Sequence, residues 1–407
     1  MKKQLEPTVI YRKVNDIIHV LNYTTGKIMS FECGEEDIKE LINSKCDNIE
    51  VPNEVKRLIL KKKKNPNTRL CRFNLVDLGM EFSFPTTVNI ELNQRCNLRC
   101  IHCYIESNNV QTKQFSLFDD MLIEQIESLL DSLKLMGVFL IVLTGGEPFL
   151  NKNIERIVLM ASEKGFVIEI LSNLQFVPDW ILNLGPNTLK IGRIQTSVYS
   201  ADSAIHDRVT AVKGSFDNTI ENLCILKCKG YYLEVATPLM NVNFETRNET
   251  VEYFKKLDIH QSFAWPIINE YKNSTHSKEL LNISLEQVKQ FANEQPGFFI
   301  QQRVKNLNES ICAAGRALLS ISHNGDVWPC SQYPLVIGNI QQENILKIFS
   351  LPAMCEIGKR KKSMFIGEKV INFCMGINYS ETGNPFLQPD FLKRIIDDFE
   401  KKGGEKS

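Results

Sequence analysis

The sequence of 407 residues lacks an excess of charge of either sign, because 48 Lys and Arg residues balance 48 Asp and Glu residues. A chain without net charge has no overall electrostatic attraction to nucleic acid, so we expect no nucleic-acid partner. No apolar run approaches the roughly 18 residues of a transmembrane helix, and we expect no membrane partner. Residues 1–7 lead into no apolar segment of the kind that a signal peptide contains. We therefore expect a cytoplasmic protein.

Cysteine, in contrast, is abundant, with 12 residues. In a reducing cytoplasm, clustered cysteines more often hold metal or perform redox chemistry than form a disulfide framework. Cys96, Cys100 and Cys103 follow one another in the spacing C-x3-C-x2-C. A pair at C-x2-C alone would suggest zinc or a redox pair. Three cysteines with no fourth nearby suit a 4Fe–4S cluster in which one iron stays open to a ligand.

The N-terminal segment, residues 1–82, is predicted to form a small separate unit. Two short strands flank a turn in which Gly26 supplies a positive φ. Two helices follow, and a basic run at 61–64 leads into a linker. A hairpin followed by helices is the outline of a winged-helix-like domain. The predicted elements are strands at 17–21 and 27–31 and helices at 35–42 and 52–60.

Residues 83–300 alternate between strand and helix patterns, which indicates an α/β fold built from βα units around a parallel sheet. Roughly 215 residues are too few for an eight-unit barrel, which typically takes about 250, so we expect a partial barrel of about six units. Functional residues should then lie at the C-terminal ends of the strands. The predicted strands are 88–92, 138–143, 167–171, 191–198 and 231–237, and the predicted helices are 117–136, 153–164, 216–229 and 245–257.

Beyond residue 300 the pattern changes to a β-hairpin, because an Asn-Gly turn stands between two short apolar runs. A helix with an apolar stripe follows near the end of the sequence. The predicted units are a third domain at 301–380, with strands at 318–322 and 327–328, and a terminal segment at 381–407, with a helix at 389–401.

The cysteine spacing resembles the motif C-x3-C-x-Φ-C of the radical S-adenosylmethionine (radical SAM) family. The resemblance implies a partial (β/α)6 barrel in which Cys96, Cys100 and Cys103 hold a 4Fe–4S cluster. The open iron would chelate S-adenosylmethionine (SAM), and His102 has the position of an aromatic residue near the adenine. In this family one electron cleaves SAM to methionine and a 5′-deoxyadenosyl radical, which abstracts hydrogen from the substrate.

A second motif, Gly145-Gly146-Glu147-Pro148, follows the second predicted barrel strand. Two glycines allow close backbone approach, and a carboxylate can accept hydrogen bonds from an ammonium group. The motif is similar to the GGEP motif with which the family binds the amino group of SAM. The resemblance leaves the partner of the SAM carboxylate open, because Thr210 stands where many relatives have arginine. The further candidates for SAM contacts are Ser172, Asn173, Ser197, Arg208 and Lys213.

The C-terminal hairpin is flanked by cysteines and resembles the SPASM and twitch domains, which bind auxiliary iron–sulfur clusters. A full SPASM domain uses more cysteines than the four that lie beyond residue 300, so we expect one auxiliary cluster. Cys312 and Cys330 flank the hairpin, Cys374 is the favoured third ligand, and Cys355, at an apparent helix start, is a further candidate. The pair interpreted as buried apolar side chains, four residues apart on a predicted helix, is Cys224 and Cys228.

Together these segments resemble radical SAM maturases of ribosomally synthesised peptides, in which an N-terminal domain binds a leader peptide by β-strand addition. The resemblance implies a precursor peptide as substrate, a flavodoxin- or ferredoxin-like electron donor and formation of a cysteine thioether. Epimerisation, a C–C or C–O cross-link, and sulfatase-maturase-like oxidation of a protein Ser or Cys stay open. The cluster cysteines argue against a non-enzymatic binding module, and the balanced charge argues against nucleic-acid modification.

Overall fold

The computed structural model describes most of the chain, but several predicted elements lie outside the described residues. These are the helices at 35–42 and 52–60, the basic run at 61–64 and most of the final helix, so the winged-helix assignment stays a prediction. No helix in the described part is long and apolar enough to cross a membrane. The described residues are 9–15, 17–23, 26–31, 72–103, 105, 116–266, 281–295, 310, 312–364, 374–390 and 392–394.

The N-terminal unit contains a three-stranded antiparallel sheet. Its strands are β1 Val9–Val14, β2 Ile17–Asn22 and β3 Lys27–Phe31, with β2 in the centre. The predicted hairpin is confirmed, since β2 and β3 pair from Ile18 opposite Phe31 to Asn22 opposite Lys27. Strand β1, which the sequence analysis missed, pairs with β2 along its whole length.

The central sheet has nine strands, of which six form the parallel core of a partial barrel. In chain order these six are β4 Thr87–Glu91, β5 Leu140–Thr144, β6 Val167–Leu171, β7 Ile191–Ser197, β8 Leu233–Pro238 and β9 His260–Ala264. They lie side by side in this order, and every neighbouring pair is parallel. The predicted six-unit architecture is therefore confirmed. The sequence analysis missed β9, because His260, Gln261 and Ser262 give it no apolar pattern.

Helices precede, connect and follow the barrel strands in the described part of the chain. They are α1 Arg72–Phe82, α2 Leu117–Asp120, α3 Ile123–Leu135, α4 Ile154–Glu163, α5 Asp179–Thr188, α6 Ser203–Thr210, α7 Ser215–Cys228, α8 Arg247–Lys256 and α9 Leu285–Glu294. The prediction of one helix at 117–136 is wrong, because Met121 and Leu122 adopt extended backbone between α2 and α3. Helix α5 was missed because Gly185 and Pro186 interrupt its pattern.

The two faces of the barrel sheet differ in chemistry. On the outer face, Ile141 packs with Leu130 of α3 in the main apolar core. Because successive residues of a strand point to opposite faces, the alternate positions line the interior. There the buried Arg193 binds the carboxylates of Glu169 and Glu234, each at 2.6 Å. The interior face therefore combines these buried ion pairs with an apolar part, where Leu140 and Val142 pack.

The C-terminal region continues the barrel sheet. Its strands are β10 Leu318–Ile321, β11 Asp326–Trp328 and β12 Gly338–Asn339, and its helices are α10 Ile345–Ser350, α11 Pro352–Gly358 and α12 Met375–Thr382. Strand β10 pairs in parallel with β4, with Leu318 opposite Thr87. The predicted hairpin is confirmed by the antiparallel pairing of β10 with β11, whose turn places Gly325 at φ 88°.

Arg12 of β1 anchors the N-terminal sheet to the barrel. Its buried guanidinium donates hydrogen bonds to the carbonyls of Val138, at 2.6 Å, and Gly165, at 2.8 Å. Both carbonyls lie just beyond helix C-termini, where acceptors lack helical partners and a cation is favoured. The ring centroids of Phe139 and Phe166 lie 5.3 and 4.9 Å from the guanidinium carbon. Burial lowers the pKa of Arg12 to about 9.

Candidate functional site

The three clustered cysteines lie on the loop that follows β4, at the C-terminal edge of the barrel. Backbone hydrogen bonds fix this loop to the end of α6, from Arg99 to the carbonyl of Thr210 and from Ile101 to that of Val209, both at 2.9 Å. The Arg99 side chain also donates to the carbonyl of Cys96 at 2.9 Å. Hydrogen bonds with the end of α6 and within the loop therefore fix the position of the cysteine loop.

The thiols of this loop are surrounded by hydrogen-bond donors. The Sγ atom of Cys96 accepts from the backbone N–H of Leu98 at 3.4 Å and from the side chain of Asn173 at 3.5 Å. The Sγ atom of Cys100 accepts from the hydroxyl of Tyr199 at 3.7 Å. Hydrogen bonds to cluster sulfurs are one of the means by which a protein tunes an iron–sulfur cluster.

Burial raises the pKa of all three thiols, that of Cys100 to about 12. Each buried thiolate would also repel its neighbours, since Cys100 interacts electrostatically with both Cys96 and Cys103. Such a set becomes stable as thiolates when a cation such as iron binds it. Across the described ranges, no three His, Cys, Asp or Glu side chains converge closely enough to hold a single metal ion.

The glycine motif lies directly against the segment that leads into the cysteine loop. Gly146 and Glu147 donate backbone hydrogen bonds to the carbonyls of Asn93 and Arg95, both at 2.7 Å. Gly145 has φ 129°, and a side chain there would collide with the carbonyl of Asn93. At Gly146 a side chain would meet the carbonyl of Arg95. Glycine is required at both positions because the two chain segments touch here.

Glu147 is completely buried and accepts three hydrogen bonds from neutral donors. Its Oε1 accepts from the N–H of Phe149 at 3.0 Å and the hydroxyl of Ser172 at 2.9 Å, and its Oε2 from the N–H of Asn173 at 2.8 Å. Burial raises the pKa of Glu147 to about 7, although these bonds lower it. In the described part of the chain, no cationic side chain forms an ion pair with it. The site thus offers a carboxylate suited to a ligand ammonium group.

The candidates at the ends of β6 and β7 also converge here. Asn173 connects Glu147 with Cys96, because its backbone donates to one and its side chain to the other. The hydroxyl of Ser172 donates a hydrogen bond to Glu147 and accepts one from the N–H of Leu174. Ser197 lies at the end of β7, two residues before Tyr199.

His102 is half-buried beside Tyr199, a residue that the sequence pattern did not single out. Its Nε2 lies 3.5 Å from the Tyr199 hydroxyl, and burial lowers its pKa to about 4. Its Nδ1 is buried without a partner among the described residues, as is Oδ1 of Asn93. Such unmatched polar atoms fit a site that a polar cofactor completes. An aromatic residue just after the fourth barrel strand was the available signal for Tyr199.

The remaining candidates near α6 face away from these contacts. Arg208 and Lys213 are exposed, and none of the hydrogen bonds described for the site involves their side chains. Thr210 is buried, with its hydroxyl 2.6 Å from that of Ser215. Thr210 therefore supports the end of α6, to which the cysteine loop is attached.

Three of the four C-terminal cysteines form a second group. Cys330 interacts electrostatically with Cys312 and Cys374, and burial raises the pKa of Cys312 to about 11. The thiol of Cys355 instead points toward the carbonyl of Ser350, at 3.7 Å. The interpretation of Cys224 and Cys228 as buried side chains is wrong, because both are exposed on α7.

Comparison with known proteins agrees with this geometry. The profile of the radical SAM superfamily matches residues 90–257, and that of the SPASM iron-sulfur cluster-binding domain matches residues 312–375. Residues 90–257 therefore form a radical SAM domain. A radical SAM domain implies a 4Fe–4S cluster with SAM, and a SPASM domain implies auxiliary iron–sulfur chemistry, as the sequence predicted. The buried thiols, the lone buried carboxylate and the unmatched polar atoms fit these cofactors.

Two curated relatives and one solved fold illustrate the radical SAM assignment. The chain is 26% identical over 314 residues to the antilisterial bacteriocin subtilosin biosynthesis protein AlbA of Bacillus subtilis, covering 73% of this chain and 67% of AlbA. It is 22% identical over 295 residues to the AdoMet-dependent heme synthase of Methanosarcina barkeri, covering 65% of this chain and 82% of the synthase. Streptococcus suis SuiB bound to S-adenosylmethionine shares the fold, with a TM-score of 0.60 and 16% identity over 96% of this chain and 99% of SuiB.

Proposed function

We propose that this radical SAM enzyme modifies a ribosomally synthesised precursor peptide by forming a thioether at a cysteine. The observation that carries the proposal is the convergence of Cys96, Glu147 and Asn173 through direct hydrogen bonds. Two relatives support the peptide substrate: AlbA is a bacteriocin biosynthesis protein, and SuiB has been solved bound to its precursor peptide SuiA.

In this proposal each part of the main site has one role. Cys96, Cys100 and Cys103 would hold the cluster. Glu147 would accept hydrogen bonds from the amino group of SAM, and His102 would contact its adenine. When bound, cluster and SAM supply a radical that abstracts hydrogen from the substrate. The backbone bonds of the cysteine loop keep the thiols oriented, which lowers the cost of assembling the site.

The C-terminal cysteines provide the second site. Cys312, Cys330 and Cys374 hold one auxiliary cluster, while Cys355 stands apart with its own carbonyl partner. A cluster with three cysteine ligands has one iron available for a substrate thiolate, or can take up one electron. Either role suits thioether formation, in which the substrate loses two hydrogens overall.

The N-terminal sheet is proposed to bind the leader of the precursor. Within the described residues β3 pairs on one side only, with β2. A free strand edge presents backbone donors and acceptors in the pattern that an extended peptide can complete. The leader would add a fourth strand beside β3.

The proposal is tested by anaerobic reconstitution and incubation with dithionite and SAM. The wild type should release 5′-deoxyadenosine, whereas the variant with Cys96, Cys100 and Cys103 all changed to Ala should release none, because it lacks the main cluster. The triple variant should retain iron at the auxiliary site, which separates loss of the cluster from loss of the fold. Equal release by both proteins would overturn the radical SAM mechanism.

The peptide substrate is tested with short peptides encoded beside the gene. Mass spectrometry should show loss of two hydrogens from a cysteine-containing peptide, with the cysteine no longer alkylated by iodoacetamide. A product of unchanged mass with an inverted residue would instead indicate epimerisation. No change in any such peptide would favour a protein substrate.

A further inference from the structure

A positively charged surface lies at the C-terminal end of α11, beside the second group of cysteines. This basic surface consists of Arg316 and three consecutive residues, Lys359, Arg360 and Lys361. Lys359 and Lys361 are exposed. The two segments meet at Ser310, whose backbone bridges to Lys361 and whose hydroxyl accepts a hydrogen bond from Arg316 at 3.0 Å. Since the whole chain carries no net charge, this concentration of cations is local.

In the described part of the chain, few acidic residues are close to the basic surface in the sequence. Among the described residues, none of the ion pairs involves Lys359, Arg360 or Lys361. Glu356, exposed on the same helix, is the acidic residue nearest in the sequence. The surface therefore has a positive potential that the end of a helix dipole stabilises.

Arg360 connects the basic surface with the auxiliary cysteines. Its Nη1 lies 3.8 Å from Sδ of Met375, which follows Cys374 in the chain. Its guanidinium carbon lies 4.9 Å from the ring centroid of Phe386, which packs in the same apolar cluster as Cys312. Arg360 therefore packs against residues that neighbour the auxiliary cysteines.

We propose that the basic surface is the docking site of an acidic one-electron carrier protein that exchanges electrons at the auxiliary cysteines. The inference rests on the proposed function, because it needs a cluster at these cysteines. Opposite charge steers two proteins together, and electron transfer weakens steeply with distance. The basic surface meets both requirements, because Arg360 contacts Met375, the residue next to Cys374.

The electron balance of thioether formation requires an electron acceptor, and this is the role of the carrier. A C–H bond and an S–H bond break and a C–S bond forms. One hydrogen atom passes to the deoxyadenosyl group and the thiol proton to solvent, which leaves one electron. The oxidised carrier accepts this electron and becomes reduced. Docking at the auxiliary cysteines brings the acceptor close to where the electron is released.

Binding of a purified, oxidised acidic flavodoxin to the reconstituted enzyme tests the proposal. Lys359→Glu with Lys361→Glu should weaken binding at least about tenfold, because it reverses two exposed charges. About 0.5 M salt should weaken wild-type binding through screening. The matched control is Lys255→Glu with Lys256→Glu, which makes the same charge change at two exposed residues of α8 and should bind as the wild type does.

Control measurements distinguish a loss of docking from a loss of folding or of iron. Iron content and circular dichroism should match between both double variants, and Lys359→Gln with Lys361→Gln should weaken binding to a smaller extent. Dithionite-driven release of 5′-deoxyadenosine should equal that of the wild type, because a small reductant needs no docking. Loss of that release in the wild type would contradict the proposed function instead. Unchanged flavodoxin affinity in the Lys359→Glu and Lys361→Glu variant, or equal weakening in the control, would overturn the docking proposal.

Discussion

Glu147 carries its charge in a buried position where the described residues offer it neutral donors. The three hydrogen bonds orient the carboxylate, and burial keeps its pKa near 7 in the absence of a cation. A bound ammonium group would lower that pKa and gain a charge-assisted hydrogen bond. At the scale of a single residue, Glu147 is thus positioned to bind a cationic group that the described residues do not supply.

Glu147→Gln should reduce the affinity for SAM by about ten- to a hundredfold, which corresponds to losing a hydrogen bond to a charged group. The amide keeps the size of the side chain and one acceptor, so the protein should still fold and load iron. Isothermal titration of SAM into the reconstituted variant measures the effect, with the exposed Glu163→Gln as control. SAM binding as tight as in the wild type would contradict the assignment of Glu147.

At the scale of elements, one strand and two helix ends meet at Arg12. Strand β1 contributes the guanidinium, and the residues following α3 and α4 contribute the carbonyls. Helix ends leave carbonyls without partners, and a buried end needs a donor. The N-terminal sheet is therefore joined to the barrel by hydrogen bonds as well as by apolar packing. Deleting residues 1–82 would expose buried barrel residues such as Phe139 and Val142.

Arg12→Met should destabilise the protein by about 3 kcal/mol, because it leaves buried carbonyls at two helix ends without donors. Lys13→Met, in the same strand but exposed, should change the stability by less than about 0.5 kcal/mol. Urea unfolding of both variants measures the difference. Similar unfolding midpoints for the two would show that Arg12 does not anchor the sheet.

At the scale of the whole molecule, the N-terminal unit and the barrel share an interior in which His19 is completely buried. Its ring lies 4.7 Å from that of Phe82 and 5.0 Å from that of Phe84, at the entrance to the barrel. Its Nδ1 is 2.8 Å from the hydroxyl of Ser30. Burial lowers the pKa of His19 to about 4. Packing of the two units thus depends on a neutral imidazole.

This arrangement predicts a pH dependence. The pKa of His19 is lower in the folded state, so its contribution to stability is complete above about pH 6.5 and is lost as the pH falls toward 4. The full effect is on the order of 3 kcal/mol. His19→Phe should flatten the decrease of unfolding free energy between pH 7 and 5, measured by urea unfolding. Equal slopes of unfolding free energy against pH in the variant and the wild type would contradict this role of His19, since other buried histidines contribute equally to both proteins.

The amino-acid sequence by itself determined the features that depend on neighbouring residues. The cysteine loop, the glycine motif and five of the six barrel strands lie in short segments whose residue types are sufficient to indicate them. Each depends on local backbone geometry or on the alternation of apolar side chains. The same holds for the turn at Gly325, where the Asn-Gly pair favours a hairpin.

Tertiary structure decided the contacts between distant segments. Strand β10 pairs with β4 across more than 200 positions, and Tyr199 reaches Cys100 across 99. No local pattern encodes such partners, because they depend on how the sheet brings strand ends together. The exposure of Cys224 and Cys228 was decided in the same way, by which face of α7 the barrel covers. The sequence therefore identified the chemistry of the site, and packing selected the residues that surround it.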